Sequence, residues 1–335
     1  MNFISCASYY GSGSSAITDL VSEYENVYTF GDIEFRFIQD PDGISDLEYN
    51  LVENFNRHNS GWALKKYKKL VDFNNRKFLG GNYKKYLGNK WLKYSNLYIS
   101  ELLDFKYNGW WQYDLLSKGK LYYFMKRLPN KLLKKTIWRN QPERTFNDMK
   151  KEITYCSHPT EEKFLRATKR YMNNIFEVDK TNCDTVMVDQ LVPPTNFNRY
   201  RRYFDNIKVI VVDRDPRDLY LLEKYVWKDG IIPSTPELFC KWFKYTRYNR
   251  SDELNVSDDI NLIYLEDLIY NYERTVNQLE KWLDLDPKKH LDVKSNFDPQ
   301  KSVNNTKLWK KLKCNKSDIQ YIEKHLHEYL YTTKE

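Results

Sequence analysis

The sequence predicts an α/β fold: a parallel β-sheet flanked by helices, with a helical insertion after the second strand. Three observations carry that expectation. The runs "TVMVDQ" (185–190) and "IKVIVVDR" (207–214) are continuously apolar, as in strands buried on both faces. Each such run is followed by a helical pattern, and alternating strand and helix argues for parallel pairing through right-handed crossovers. No internal repeat or low-complexity linker divides the 335 residues, so 1–335 reads as one α/β domain.

Taken in order, "NFISCAS" (2–8) is a short buried strand, followed by a glycine-serine turn. In "SAITDLVSEY", Ile17, Leu20, Val21 and Tyr24 fall at i, i+3, i+4 and i+7, one face of a helix. Strand, loop and helix in this order make the sheet P-loop-like. A second strand is expected at "NVYTFG", with "IEFRFIQD" continuing or following it. Residues 44–150 are Lys- and aromatic-rich with helical periods broken at "LGGN" and "LPNK", and read as a helical insertion or lid. A helix over 160–176 opens with Thr160 and carries Glu161 and Glu162 in its first turn. A further strand is expected at 260–268, and helices at 215–226, 235–250 and "YERTVNQLEKWLDL".

Composition narrows the function classes. Formal net charge is +8, unevenly spread: 65–93 holds ten Lys or Arg against Asp72, and 118–139 holds eight with no acid. Such stretches attract phosphate, sulfate, acidic glycans, nucleic acid or lipid headgroups, or form solvated helix faces. Five scattered cysteines and five histidines show no CxxC and no metal-ligand spacing, so no metal is expected. No apolar run of ~18 residues and no basic, apolar leader occurs, which fits a cytoplasmic setting without a membrane span.

Two stretches carry anion chemistry. In Gly11-Ser12-Gly13-Ser14-Ser15, glycines permit a tight turn, backbone N–H groups converge, and the next helix adds the positive end of its dipole. The loop is not a Walker A motif, because no G-x-x-x-x-G-K-[ST] occurs, nor a G-x-G-x-x-G, because Ala16 takes the third glycine's place. In "IKVIVVDRDPRDLYLLEKY" a buried strand ends at Arg214, where open α/β sheets bind ligands, and Pro216 starts a helix with Arg217 in its first turn.

Together these stretches resemble the sulfotransferases that use PAPS (3′-phosphoadenosine 5′-phosphosulfate), of the P-loop-like carbohydrate sulfotransferase type. "LIYLEDLIYNYERTVNQLEKWLDLD" looks like that family's "YEDL…P…L…FLGL" segment, and "DPQKSVNNTKLWK" is similar to its C-terminal "KSxNN…W" segment. The resemblance covers about 1–35 and 184–312 and leaves the insertion out. It implies that Gly11, Ser12, Gly13, Ser14 and Ser15 hold the 5′-phosphosulfate and Arg214 the 3′-phosphate. It further implies sulfuryl transfer from PAPS, with PAP as product and no metal.

Two departures stand out. Gly11 occupies the position where the family carries Lys or Arg, and Leu222 the position of a phosphate-binding Ser. Arg217, Lys301 or Ser302 could replace the latter contact, and Arg36 or lysines of the insertion the former.

Sulfuryl transfer also needs a base near the acceptor. Glu34 in "GDIEFRF" lies where heparan-type sulfotransferases carry their catalytic Glu, in a similar "E-x-H-F-F" setting. Asp189 in "MVDQLVPP" takes the place of the His of cytosolic sulfotransferases, His58 in "NRHNSGW" is a third candidate, and Asp32 a further one. The lysines of 65–93 and Trp110–Trp111 suit a carbohydrate or acidic acceptor, or the packing of a Tyr-rich insertion. The leading expectation is a PAPS-dependent sulfotransferase acting on a hydroxyl or amine of a glycan or glycolipid. Its rivals are a P-loop-type phosphotransferase needing Mg²⁺ and ATP, and a non-catalytic polyanion- or nucleic-acid-binding protein.

Overall fold

A computed structural model describes the chain apart from residues 110, 112, 142, 145–151, 179–182 and 333–335 and the side chains of 32, 115 and 116. Its strands are β1 (Asn2–Ser8), β2 (Val27–Glu34), β3 (Phe105–Asn108), β4 (Ile153–Cys156), β5 (Thr185–Asp189), β6 (Ile207–Asp213) and β7 (Ile260–Tyr264). Five of them form one all-parallel sheet in the order β2-β5-β1-β6-β7. The mixed α/β architecture with a central parallel sheet between helices is the one the sequence predicts.

Central β1 explains how both faces of that sheet are covered. Its side chains alternate, as the period of a strand demands. Phe3 meets Phe176 and Phe204 at ring distances of 5.9 and 5.1 Å on one face. Ile4 and Cys6 pack on the other face against Ile17, Leu20 and Val21 of helix α1 (Ser14–Ser22), beside Ile210 and Val212. Because β1 lies in the middle, the loop that leaves it opens at the carboxyl edge of the sheet, flanked by the ends of β5 and β6.

Local chemistry shifts three expected boundaries. The strand expected over 260–268 stops at Tyr264, and Leu265–Tyr270 is a helix. Glu266 and Asp267 stand in its first turn, where the helix dipole favours acids, and no Gly or Pro marks the change. The helix expected over 215–226 runs Pro216–Leu221 with Asp215 accepting from the Arg217 backbone N–H, then widens into a π-turn at Leu222–Trp227. That over 235–250 runs Pro236–Thr246.

The chain divides into two compact units, Met1–Asp40 with Met172–Glu335, and Pro41–Tyr171. The first holds the parallel sheet. The second is largely helical, with long helices Asn59–Asn75, Lys90–Leu102 and Asp114–Lys135. Among the described residues its one strand within 44–150 is β3, which pairs antiparallel with β4. Buried hydroxyls organise its core: Tyr98 stacks on Tyr171 at 4.7 Å, and Ser95 and Tyr171 share a 2.6 Å hydrogen bond. Several cations of the basic runs are paired within this unit, Lys65 with Asp114 and Lys66 with Asp42 at 2.8 Å each. Among the described residues no helix is long and apolar enough to cross a membrane, and no cluster of three His, Cys, Asp or Glu is arranged to hold a metal ion.

Candidate functional site

At the carboxyl edge of the parallel sheet lies a cavity of about 790 Å³, lined by the β1–α1 loop, the ends of β2, β5 and β6, and the segment 296–305. The loop is shaped by its glycines. Gly11 (φ +63°) and Gly13 (φ +106°) adopt the left-handed region, which other residues rarely tolerate. A Cβ on Gly11 would sit 2.7 Å from Cζ3 of Trp227, so an indole fills the space a side chain would take. Ser14 and Ser15 open α1, where the first N–H groups of a helix have no intrahelical acceptor.

The serines divide by role. Ser12 is fully buried; its hydroxyl donates to the Val212 carbonyl (2.6 Å) and accepts from the Tyr9 N–H (3.1 Å). It ties the loop to β6 and does not line the cavity. The Ser14 hydroxyl donates to Asp189 Oδ2 at 3.2 Å, and Ser14, Ser15, Gly11 and Gly13 all line the cavity.

On the β6 side, Arg214 lines the cavity at 4 % exposure. One Nη donates to the Asn305 carbonyl, while Nε is buried without a hydrogen-bond partner. Burial pulls its pKa down, against the opposing pull of Glu266, Asp218 and Asp215, and a guanidinium remains charged throughout. Glu266 is buried too, pushed up to about 8 chiefly by that burial, although it accepts the Asp215 N–H at 2.9 Å. Burial likewise raises Asp218 to about 6, against the backbone N–H groups of Leu308 and Lys307 that it accepts at 2.7 and 2.9 Å. Arg214 is thus a buried cation that keeps one N–H unmade beside these acids.

On the β2–β5 side the cavity is open. Glu34, at the end of β2 and in register with Asp189 of β5, keeps 47 % of its side chain exposed. Arg36 stands 3.7 Å from Glu34 and 3.1 Å from Asp40, with 38 % exposed. Burial would lower the Arg36 pKa, but Asp40, Tyr10 and Glu34 outweigh it and hold it up. Tyr10 belongs to the β1–α1 loop, and it lines the same cavity as Arg36. Gln190 fixes this side: its N–H donates to the Cys6 carbonyl at 2.8 Å, its amide to Ser8 Oγ at 2.5 Å, and its carbonyl accepts from Gln39 at 2.6 Å.

Of the remaining predicted residues, Ser302 alone is seen to line the cavity. Arg217 is outside the cavity lining: its guanidinium binds Asp215 (2.7 Å) and Glu323 (2.8 Å) and stacks on Trp309 at 3.7 Å. Lys301 is 84 % exposed beside Asp298, also outside the lining, whereas Ser302 lines it. His58 belongs to the other unit, stacked on Trp111 at 4.2 Å, and its Nε2 accepts from Arg57 at 3.1 Å. Trp110 and the Asp32 side chain lie outside the described residues.

Sequence reasoning missed three contributors. Trp227 carries no motif. Glu266 was visible as the acid of "YLEDL", but not its burial. Glu23, at the far end of α1, accepts four hydrogen bonds, from His290 Nε2 (2.7 Å) and the N–H groups of Lys294, Asn296 and Phe297 (2.9–3.0 Å). It clamps the start of the segment that forms the cavity's C-terminal wall.

No protein-family model and no curated protein matches the chain. Among solved structures it is similar to a sulfotransferase domain from the curacin biosynthetic pathway, at 14% identity over 97% of each chain with a TM-score of 0.39. It is also similar to a retinol dehydratase in complex with androsterone and the inactive cofactor PAP, at 13% identity over 99% of this chain and 82% of that one, TM-score 0.35. At these TM-scores neither likeness bears on what this chain binds.

Proposed function

We propose that the protein is a sulfotransferase that moves the sulfuryl group of PAPS to a hydroxyl or amine of a glycan or glycolipid. The observation that carries this reading is the pairing of two anion contacts in one cavity: the glycine-serine loop at the start of α1, and the buried Arg214 with its unmade Nε–H. A donor with separate 3′-phosphate and 5′-phosphosulfate groups needs two such contacts. The glycine cradle and the orphaned guanidinium N–H both fit it.

In this reading the 5′ end lies on the N–H groups of Ser14 and Ser15 and on the α1 dipole, and the 3′-phosphate on Arg214. Ser12 shapes the loop from inside, and Ser302 stands on the cavity wall. Glu34, exposed and adjacent to Arg36, is the base; Asp189 braces Ser14 instead. As the acceptor oxygen or nitrogen forms its bond to sulfur, its proton passes to Glu34, and the S–O bond to the 5′-phosphate breaks. The developing negative charge needs a cation that Gly11 cannot supply. Arg36 is our assignment, since Arg36 and Arg214 are the two cations lining the cavity among the described residues of this unit.

Thermal-shift titration tests the reading. PAP should raise the melting temperature, and ATP–Mg²⁺ and an oligonucleotide should not. No response to PAP overturns it; a response to ATP that requires Mg²⁺ favours phosphoryl transfer instead.

A further inference from the structure

The cavity has a wall that sulfuryl transfer leaves unexplained. Its charged lining residues in this unit are five acids, Asp19, Glu34, Asp189, Glu223 and Asp229, against Arg36 and Arg214. Two of the acids meet each other. Glu223 is 3 % exposed; one carboxyl oxygen accepts the Gly230 N–H at 2.9 Å, the other has no N–H or hydroxyl donor, and burial together with the neighbouring Asp229 carboxyl holds the Glu223 pKa up. Among the described residues no Lys, Arg or His forms an ion pair with either acid. Between them in sequence stands Trp227, whose ring edge is fixed against Gly11 and whose indole is 40 % exposed on the same cavity.

An indole and a pair of acids lining one cavity are groups that can recognise an organic ammonium: a ring attracts the cation, and carboxyl oxygens accept its N–H bonds. A hard divalent cation would need more oxygen ligands than this wall offers. We infer that Trp227, Glu223 and Asp229 form a subsite for an ammonium group of the acceptor, which makes that acceptor an amine-bearing molecule such as an amino sugar. This rests on the reading of the cavity given above and names its acceptor class. The ammonium is a handle and not the reacting atom, because a protonated amine has no lone pair to offer sulfur. Donor and acceptor then have opposite charge requirements, which acids and arginines lining the same cavity would meet.

Calorimetric titration of the full chain at pH 6.5 with the β-1,4 disaccharide of glucosamine, against that of glucose, tests the subsite. The amino disaccharide should bind at least ~10-fold tighter, a difference that Glu223→Gln and Asp229→Asn should each remove while PAP binding stays within ~2-fold. Glu223→Gln keeps an acceptor for Gly230, and the PAP titration reports on folding. Equal binding of the two sugars overturns the inference, as does a preference that survives both variants. A melting shift from Mg²⁺ alone that Glu223→Gln abolishes also overturns it, in favour of a metal wall. Amino-disaccharide binding without PAP binding leaves the subsite standing and removes the sulfotransferase reading; PAP binding without the sugar preference does the reverse.

Discussion

The two shoulders of the cavity are built on opposite principles. The β6–β7 shoulder buries its charge: Arg214 at 4 % exposure is enclosed by Glu266 and Asp218, each accepting a backbone N–H, and by the Asn305 carbonyl, to which it donates. The β2–β5 shoulder leaves its charge wet, with Glu34 and Arg36 roughly half and one-third exposed. Burial makes a contact strong and immobile, because a low-dielectric setting amplifies a made bond and penalises an unmade one. Exposure makes a contact reversible, as a group that must exchange protons with an acceptor requires. The closed shoulder suits an anchor and the open one suits chemistry.

Breaking the closed shoulder should strike donor binding itself. Arg214→Ala removes the buried cation and leaves Glu266 and Asp218 without it, so the PAP-induced melting shift should vanish, a loss of about 3 kcal/mol in binding. A variant that keeps the shift would end the contrast between the shoulders. On the open shoulder, Glu34→Gln should lower PAP release from PAPS by ~10²–10⁴-fold while PAP affinity changes little. Retained turnover would move the base to Asp189. Arg36→Ala should cost ~10²–10³ in the same rate, with partial rescue by Arg36→Lys; an unchanged rate would leave the charge missing at Gly11 unassigned.

Two smaller effects sharpen the closed shoulder. Glu23→Gln removes the carboxylate that four donors share, and should lower stability by about 1–3 kcal/mol and weaken PAP severalfold through the loosened 290–305 wall. Glu266 titrates higher folded than unfolded, so its contribution to stability is full below about 4.5 and is lost as pH rises through about 8. Glu266→Gln should flatten that part of the ligand-free stability profile in chemical denaturation. An unaltered slope would mean that Glu266 is already ionised beside Arg214.

What was legible in the sequence follows the same division. Strands β1, β5 and β6 were readable because burial on both faces writes continuous apolar runs, and the loop because glycine is the residue for its left-handed turns. Arg214 was readable as the residue where such a strand ends. Arg217 looked equivalent, but Asp215 caps the helix and folds the arginine back onto itself, a competition between neighbours that a motif cannot display. Ser12 and Ser14 look alike in sequence, yet one points to β6 and the other to Asp189, because backbone torsion and not residue type sets the direction. Trp227, Glu223 and Asp229 were illegible because the fold brings them to the cavity that the loop also lines, from more than 200 positions away in the chain.

The indole seated over Gly11 has a consequence for how this loop can change. A lysine introduced there alone, as Gly11→Lys, meets the Trp227 ring at 2.7 Å and a backbone torsion of +63°. The substitution is therefore obstructed until Trp227 has shrunk, whereas shrinking Trp227 first removes the ring clash and leaves the +63° torsion and the Leu219 contact, at the cost of whatever the indole contacts. The two positions form an ordered pair in mutational space, in which the same lysine is harmful in one background and accessible in the other. Directed evolution from this sequence should find Gly11→Lys only in lineages that have already lost Trp227.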